Sequence, residues 1–173
     1  TVHAVNRLTP TIVEVVVRTL GLGHHFSQGT VDSNEIWVDF RATAGGVEIA
    51  RNGATANPDD TGPVDPWSHF INVLMLDRDG NRIDRRNPQD IFTPLYDKQI
   101  PPGAGQVVHY RLDVPKDVSG PVELSVRLRY RKFDYKYMEH VHKESNKPIP
   151  KLPIVDMCED SVTLPVAGVA ETV

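Results

Sequence analysis

Two stretches of this chain alternate between apolar and polar residues with a period of two, which is the spacing of side chains along a β-strand. In residues 34–43, one side carries Ile36, Val38 and Phe40, and the other carries Glu35, Trp37 and Asp39. In residues 122–133, one side carries Val122, Leu124, Val126, Leu128 and Tyr130, and the other carries Glu123, Arg127, Arg129 and Arg131. Strands of this kind are expected to bury one face in a core and to leave the other face solvated.

Further stretches rich in β-branched residues predict more strands between turn signals. Gly45-Gly46 predicts a hairpin turn, and Pro94 marks its stretch as an edge strand or an irregular extended piece. Residues 54–66 form a polar loop. The additional predicted strands are residues 11–20, 47–53, 69–77, 91–100, 106–115 and 161–166.

One short helix is expected at residues 134–144, where Asp134 could serve as the N-cap. About eight strands, no alternating helices and no repeat predict an all-β fold. We therefore expect a single antiparallel β-sandwich of the immunoglobulin or fibronectin type over residues 1–173, with its core at about residues 11–166. A barrel is the less supported alternative.

Charge and cysteine content exclude several classes of function. A net charge of −4 argues against non-specific binding of nucleic acid, which needs a basic face. No apolar run approaches the roughly 18 residues that span a bilayer. The single Cys158 excludes an internal disulfide, a cysteine-based zinc site and the Cys-x-x-Cys-His motif of covalent haem attachment within these residues. Because residue 1 is threonine in a polar segment, we expect a piece of a longer polypeptide.

Histidines are the candidate ligands for a transition metal or for haem iron. His24 and His25 lie in a glycine-framed loop, and neighbours on an extended chain point to opposite sides, so one of the two could join a given site. The alternative is a polar loop before a strand. His140 and His142 would not form a chelating pair on a helix, because residues two apart lie on different sides.

A second candidate is the turn in residues 77–84, which resembles the start of a calcium loop. It offers oxygen ligands at alternate positions, but Pro88 stands where an EF-hand requires glutamate. A looser calcium site remains an alternative to an ordinary hairpin turn. Its ligands would be Asp77, Asp79, Asn81 and Asp84.

No catalytic constellation is found in the sequence, so we expect a protein that is not an enzyme. Trp37 and Trp67 could stack on a sugar or a base, although aromatic residues in sandwiches more often belong to a core. Arg127, Arg129 and Arg131 alternate along one strand face. They could pair with neighbouring carboxylates, or they could dock an acidic partner or haem propionates.

Several motifs together resemble a known type of domain. Residues 23–37 read Gly-His-x-Phe-x-x-Gly-Thr-x-Asp-x-Asn-Glu-x-Trp, and Ser27 stands where proline is usual. This pattern resembles the β-sandwich domains that follow haem-binding regions in bacterial multihaem c-type cytochromes, some of which carry tetratricopeptide repeats. The likeness continues in the same order through DPWSHF, DRDGNRIDRRN, YDKQIPPG, LRYRKF and LPIVDMCEDSVTLPV.

The resemblance implies a periplasmic or extracellular protein in an electron-transfer setting. It also implies a role for His24 or His69 as a distal axial ligand to haem c held by another segment, with a purely structural role as the alternative. We therefore expect a non-catalytic accessory module whose partner is a multihaem cytochrome segment or subunit, in a homo- or hetero-oligomer. The alternatives are a calcium-stabilised adhesion or filament-forming module, and a carbohydrate-binding module or small enzyme.

Overall fold

The computed structural model describes residues 4–27, 29–30, 32–143, 145 and 147–167. Within them the chain forms one α-helix, α1 (Tyr135–His142), a short 3-10 helix (Pro88–Asp90) and a series of strands. The strands are β1 (Val5–Asn6), β2 (Thr11–Arg18), β3 (Glu35–Ala44), β4 (Val47–Asn52), β5 (His69–Phe70), β6 (Val73–Leu76), β7 (Thr93–Asp97), β8 (Gly105–Leu112), β9 (Val122–Arg131), β10 (Ile154–Leu164) and β11 (Val166–Ala167).

The strands form two facing sheets of unequal size. The large sheet has the order β10–β9–β3–β4, with β5 also paired to β3, and its neighbours are antiparallel. The small sheet consists of β2 and β8 alone. Two short pairs complete the fold, the β6–β7 ribbon and the parallel β1–β11 pair. The expected all-β sandwich is confirmed.

The core lies between the two sheets and follows the predicted alternation. The side chains of Ile36, Val38 and Phe40 are buried against residues of the small sheet. Phe40 stacks on Tyr110 with ring centroids 4.5 Å apart and planes 8° apart. Offset stacking of this kind adds to the free energy gained by burying apolar area.

The opposite face of the large sheet is only partly solvated, whereas the sequence predicted a solvated face. Trp37 is fully buried there, and the side chains of Arg129 and Arg131 are each only 4% exposed. The polar loop at residues 54–66 covers them, because its Asp60 bonds Arg129 and its Gly62 carbonyl accepts from Arg131. The sandwich therefore has a second, polar interior outside its apolar core.

The helix and most strands lie where the sequence predicts them. Asp134 caps α1 by accepting the amide of Tyr137 at 2.6 Å, while Glu144, at the end of the predicted helix, lies outside the described residues. The stretch at 69–77 is divided into β5 and β6, and β10 begins at Ile154 rather than at residue 161. Among the described residues, no helix is long and apolar enough to cross a membrane.

Candidate functional site

Two of the candidate histidines lie in segments at one end of the sandwich. Thr19 holds the start of the loop that follows β2. Its amide donates to the carbonyl of Ala104 at 3.0 Å, and its hydroxyl donates to the carbonyl of Pro101 at 2.6 Å. The loop is fastened at its end by a β-bridge between Phe26 and Ile100. We call this region, residues 19–27, His69 and residues 98–106, the histidine end.

His24 is exposed within this loop, and its imidazole is partly oriented. Its Nδ1 lies 3.3 Å from the carbonyl oxygen of His25, a contact that fits a donating Nδ1–H. That tautomer leaves Nε2 as a free acceptor directed away from the contact. Metal-ligating histidines usually have this arrangement, in which the second ring nitrogen donates to a carbonyl or carboxylate.

His69 lies at the same end but has a different environment. It is half-buried on β5, and its Nε2 lies 3.0 Å from the side-chain oxygen of Gln106 on β8. Burial lowers the pKa of His69, and nearby Lys98 acts in the same direction, whereas the hydrogen bond that His69 donates to Gln106 acts in the opposite direction. The ring is therefore neutral at neutral pH, but ligation through Nε2 would require it to leave Gln106.

Apolar side chains surround the histidine loop and open into a groove. Leu20 is 76% exposed and Leu22 is 39% exposed. They border a groove of about 420 Å³ between β2 and β10, which Phe26 and Met157 also line. Exposed leucines grouped in this way are unusual for a surface that meets only water and are typical of an interaction surface.

The predicted calcium turn is closed by its own hydrogen bonds. Asp77 Oδ1 accepts the amides of Asp79 (2.9 Å) and Asn81 (2.8 Å), and Oδ2 accepts the side-chain amide of Asn81. The hydrogen bond from the side-chain amide of Asn81 is the main cause that lowers the pKa of Asp77. Asp84 lies 3.4 Å from Arg85. Among the described residues, no group of three or more metal-ligating side chains is found here or elsewhere.

The three predicted docking arginines are all engaged with carboxylates of the same chain. Arg131 pairs with Glu35 at 2.5 Å, and Arg129 with Asp60 at 3.0 Å. Arg127 bonds Asp39 and Asp156, both at 3.1 Å, and keeps 35% of its side chain exposed. Of the three, Arg127 therefore offers by far the largest surface to a partner.

The two tryptophans have opposite environments. Trp37 is fully buried and donates from its indole nitrogen to the carbonyl of Gly53 at 3.0 Å. Trp67 is 87% exposed. A stacking platform of two coplanar tryptophans is therefore not formed, which removes the feature that would favour a carbohydrate-binding module.

The sequence analysis identified the histidines but missed the leucines that border the groove and the glutamine that orients His69. Leu20 and Leu22 follow β2 in a loop of ordinary composition, although the alternation of leucine and glycine over residues 20–23 was a readable signal. Gln106, which orients His69, lies 37 residues away along the chain. No local pattern links those two residues.

The fold places the chain among all-β sandwich domains. No protein-family model matches it, and no curated protein matches it. A solved structure does match, the crystal structure of a penta-heme cytochrome c552 from Thermochromatium tepidum. The match covers 90% of this chain with a TM-score of 0.61 and 16% sequence identity, and it spans 36% of the cytochrome chain. At that identity the likeness shows a shared fold.

Proposed function

We propose that this chain is a non-catalytic accessory module of a multihaem c-type cytochrome, acting in the periplasm or outside the cell. Its histidine end would contact a haem-binding segment of another polypeptide or of a longer chain. His24 would be the distal axial ligand of one haem iron. The observation that carries the proposal is the exposed His24 imidazole, with Nδ1 against a carbonyl oxygen and Nε2 free.

Three features of this region support such a contact. The loop is held at both ends by hydrogen bonds, so a ligand placed on it loses little conformational freedom when it binds. The exposed Leu20 and Leu22 match the apolar edge of a porphyrin. The penta-heme cytochrome c552 shares the fold over nearly the whole of this chain.

Haem itself would be held elsewhere. Covalent attachment of haem c needs two cysteines and a histidine in one motif, and these 173 residues contain one cysteine. When bound, the iron would supply electron transfer. This chain would supply the imidazole, exclude water from one haem face and so tune the potential of that haem.

The test compares His24→Ala with the matched variant His25→Ala in the protein purified together with its haem-carrying polypeptide. We expect His24→Ala to convert one haem from low-spin to high-spin, with a shift in the Soret band and in one reduction potential. His25→Ala should leave the spectrum unchanged, because its carbonyl, and not its ring, contacts His24. Low-spin spectra for every haem in both variants would exclude ligation by His24.

A further inference from the structure

The small sheet has a free edge that is directed into an open groove. β2 pairs with β8 and with no other described strand. The amide of Thr19 donates to the carbonyl of Ala104, which lies directly opposite it when the register of β2 and β8 is continued. Every second residue of β2, counted back from Thr19, therefore exchanges backbone hydrogen bonds with β8. The residues between them therefore direct their N–H and C=O groups to the free edge. They are Ile12, Glu14, Val16 and Arg18.

The space beside this edge is an open groove that β10 borders. The large sheet extends beyond β2, because β10 continues it past β9. Two grooves of about 420 Å³ and about 170 Å³ lie between β2 and β10, with Val15 and Asp160 lining both. A strand added to β2 would lie over β10 and would cover the apolar side chains in the grooves.

The carboxylate of Asp160 lies among the side chains that line both grooves. Asp160 is paired in register with Val126, so its side chain points to the same side of the sheet as that core residue. Asp160 Oδ1 accepts the amide of Ser161 at 2.8 Å, and the described residues provide no ion pair for it. Arg127 lies on the opposite face of the sheet, where it is bonded to Asp39 and Asp156.

We propose that this groove binds an extended segment of a partner protein, which adds to β2 as a third strand of the small sheet. The inward side chains of that segment would be apolar opposite Val13 and Val17, and basic opposite Val15, where Asp160 lies. Backbone hydrogen bonds to the free edge would supply affinity, and the lysine or arginine facing Asp160 would supply selectivity. This inference goes beyond the proposed function and does not depend on haem.

A second copy of this chain fits the groove less well. The large sheet is wider than the small one, so β10 extends beyond the β2 edge. If two copies paired through their β2 edges, the β10 strand of each copy would occupy the position of β9 in the other copy. β10 also carries the carboxylates of Glu159 and Asp160, which would repel their counterparts in the second copy. A single extended segment avoids both conflicts.

The probe for the test is the peptide Thr-Val-Thr-Lys-Thr-Val-Thr, whose inward residues would be valine, lysine and valine in either strand direction. Its control is the same peptide with glutamate in place of lysine. We expect the lysine peptide to bind at least about tenfold more tightly, with saturation reached below about 5 mM. Backbone amide exchange at Ile12, Glu14, Val16 and Arg18 should slow, while the amides of Val13, Val15 and Val17, which already bond β8, should change little.

Two variants make the test specific. Val16→Pro removes an N–H from the free edge without removing a bond to β8, so it should abolish peptide binding in a chain that still folds. Asp160→Lys should reverse the preference, so that the glutamate peptide binds more tightly. Absence of binding of the lysine peptide at about 5 mM, binding unaffected by Val16→Pro, or an unreversed preference in Asp160→Lys would each overturn the proposal.

Discussion

The carboxylate of Asp60 accepts two hydrogen bonds of 3.0 Å from the guanidinium of Arg129. Through this bidentate pair the loop at residues 54–66 is held against the outer face of the large sheet. Arg129 also bonds Asp39 and Asp156, and its guanidinium lies 5.7 Å from the ring centroid of Trp37. These three carboxylates compensate the charge of the buried guanidinium, which would otherwise be costly to remove from water.

Replacing Arg129 with methionine should therefore lower the free energy of unfolding by about 3 kcal/mol, because the change leaves the buried Asp39 with one cation fewer and frees the covering loop. Arg127→Met is the matched control, since Arg127 bonds Asp39 and Asp156 but is partly exposed, and it should cost about 1 kcal/mol or less. Urea denaturation of the two variants measures the difference. If Arg129→Met and Arg127→Met lowered the free energy of unfolding equally, the burial of Arg129 would not make its ion pairs more important for stability than those of Arg127.

The outer face of the large sheet shows what an alternating pattern can and cannot predict. Period-two spacing correctly assigned Val38 to the core face and Asp39 to the other face. It could not show that a loop covers the second face, because that depends on pairing between Asp60 and Arg129, 69 residues apart. Trp37 among the polar residues of that face was the one local signal of burial.

The first half of β10 was missed for a related reason. Its alternation is interrupted by charged residues and by a change of register between Asp156 and Cys158. A β-bulge of this kind shifts which side chains share a face, so the pattern no longer has a period of two. The open groove was also beyond prediction, because sequence indicates strands but not how many join each sheet.

For the histidine end, the sequence identified His24 and His69 as candidate ligands. It could not show which ring nitrogen of each histidine is free to bind a metal. The free Nε2 of His24 and the engaged Nε2 of His69 depend on where a carbonyl and Gln106 lie in the folded chain. These are contacts of single atoms, and composition and spacing carry no information about them.

Gly53 is a position where any side chain should be destabilising. Its φ is +99°, and a Cβ there would lie 2.8 Å from the Cα of Asp39 and closer still to the carbonyl oxygen of Val38. Gly53→Ala should therefore cost about 3 kcal/mol or more, by combining backbone strain with a clash against β3. Gly46→Ala separates the two causes, since Gly46 has φ +80° but open space around it, and it should cost only about 1–2 kcal/mol. Similar thermal unfolding of the two variants would contradict the steric argument.

Removing the hydroxyl of Tyr110 should not weaken the fold. This hydroxyl is buried and has no hydrogen-bond partner among the described residues, while the ring stacks on Phe40. Tyr110→Phe keeps the ring contact and removes an unpaired polar group, so the free energy of unfolding should stay the same or rise by about 1 kcal/mol. Tyr110→Leu should lower it by about 2 kcal/mol, because the aromatic pair is lost. A clear destabilisation by Tyr110→Phe, measured in urea, would mean that the hydroxyl contributes to stability.

The environment of His69 predicts that stability falls in mild acid. Burial lowers the pKa of His69 in the folded chain below the ordinary value of 6.5, so the unfolded chain takes up the proton first. The stabilisation is fully present above pH 6.5 and is lost as the pH falls from there to the lowered folded-state pKa. His69→Gln should flatten this slope, whereas His140→Gln, an exposed change on α1, controls for the loss of a histidine as such. The measurement is the free energy of unfolding from pH 5 to pH 8, and an identical slope in the wild type and in His69→Gln would show that protonation of His69 is not coupled to folding.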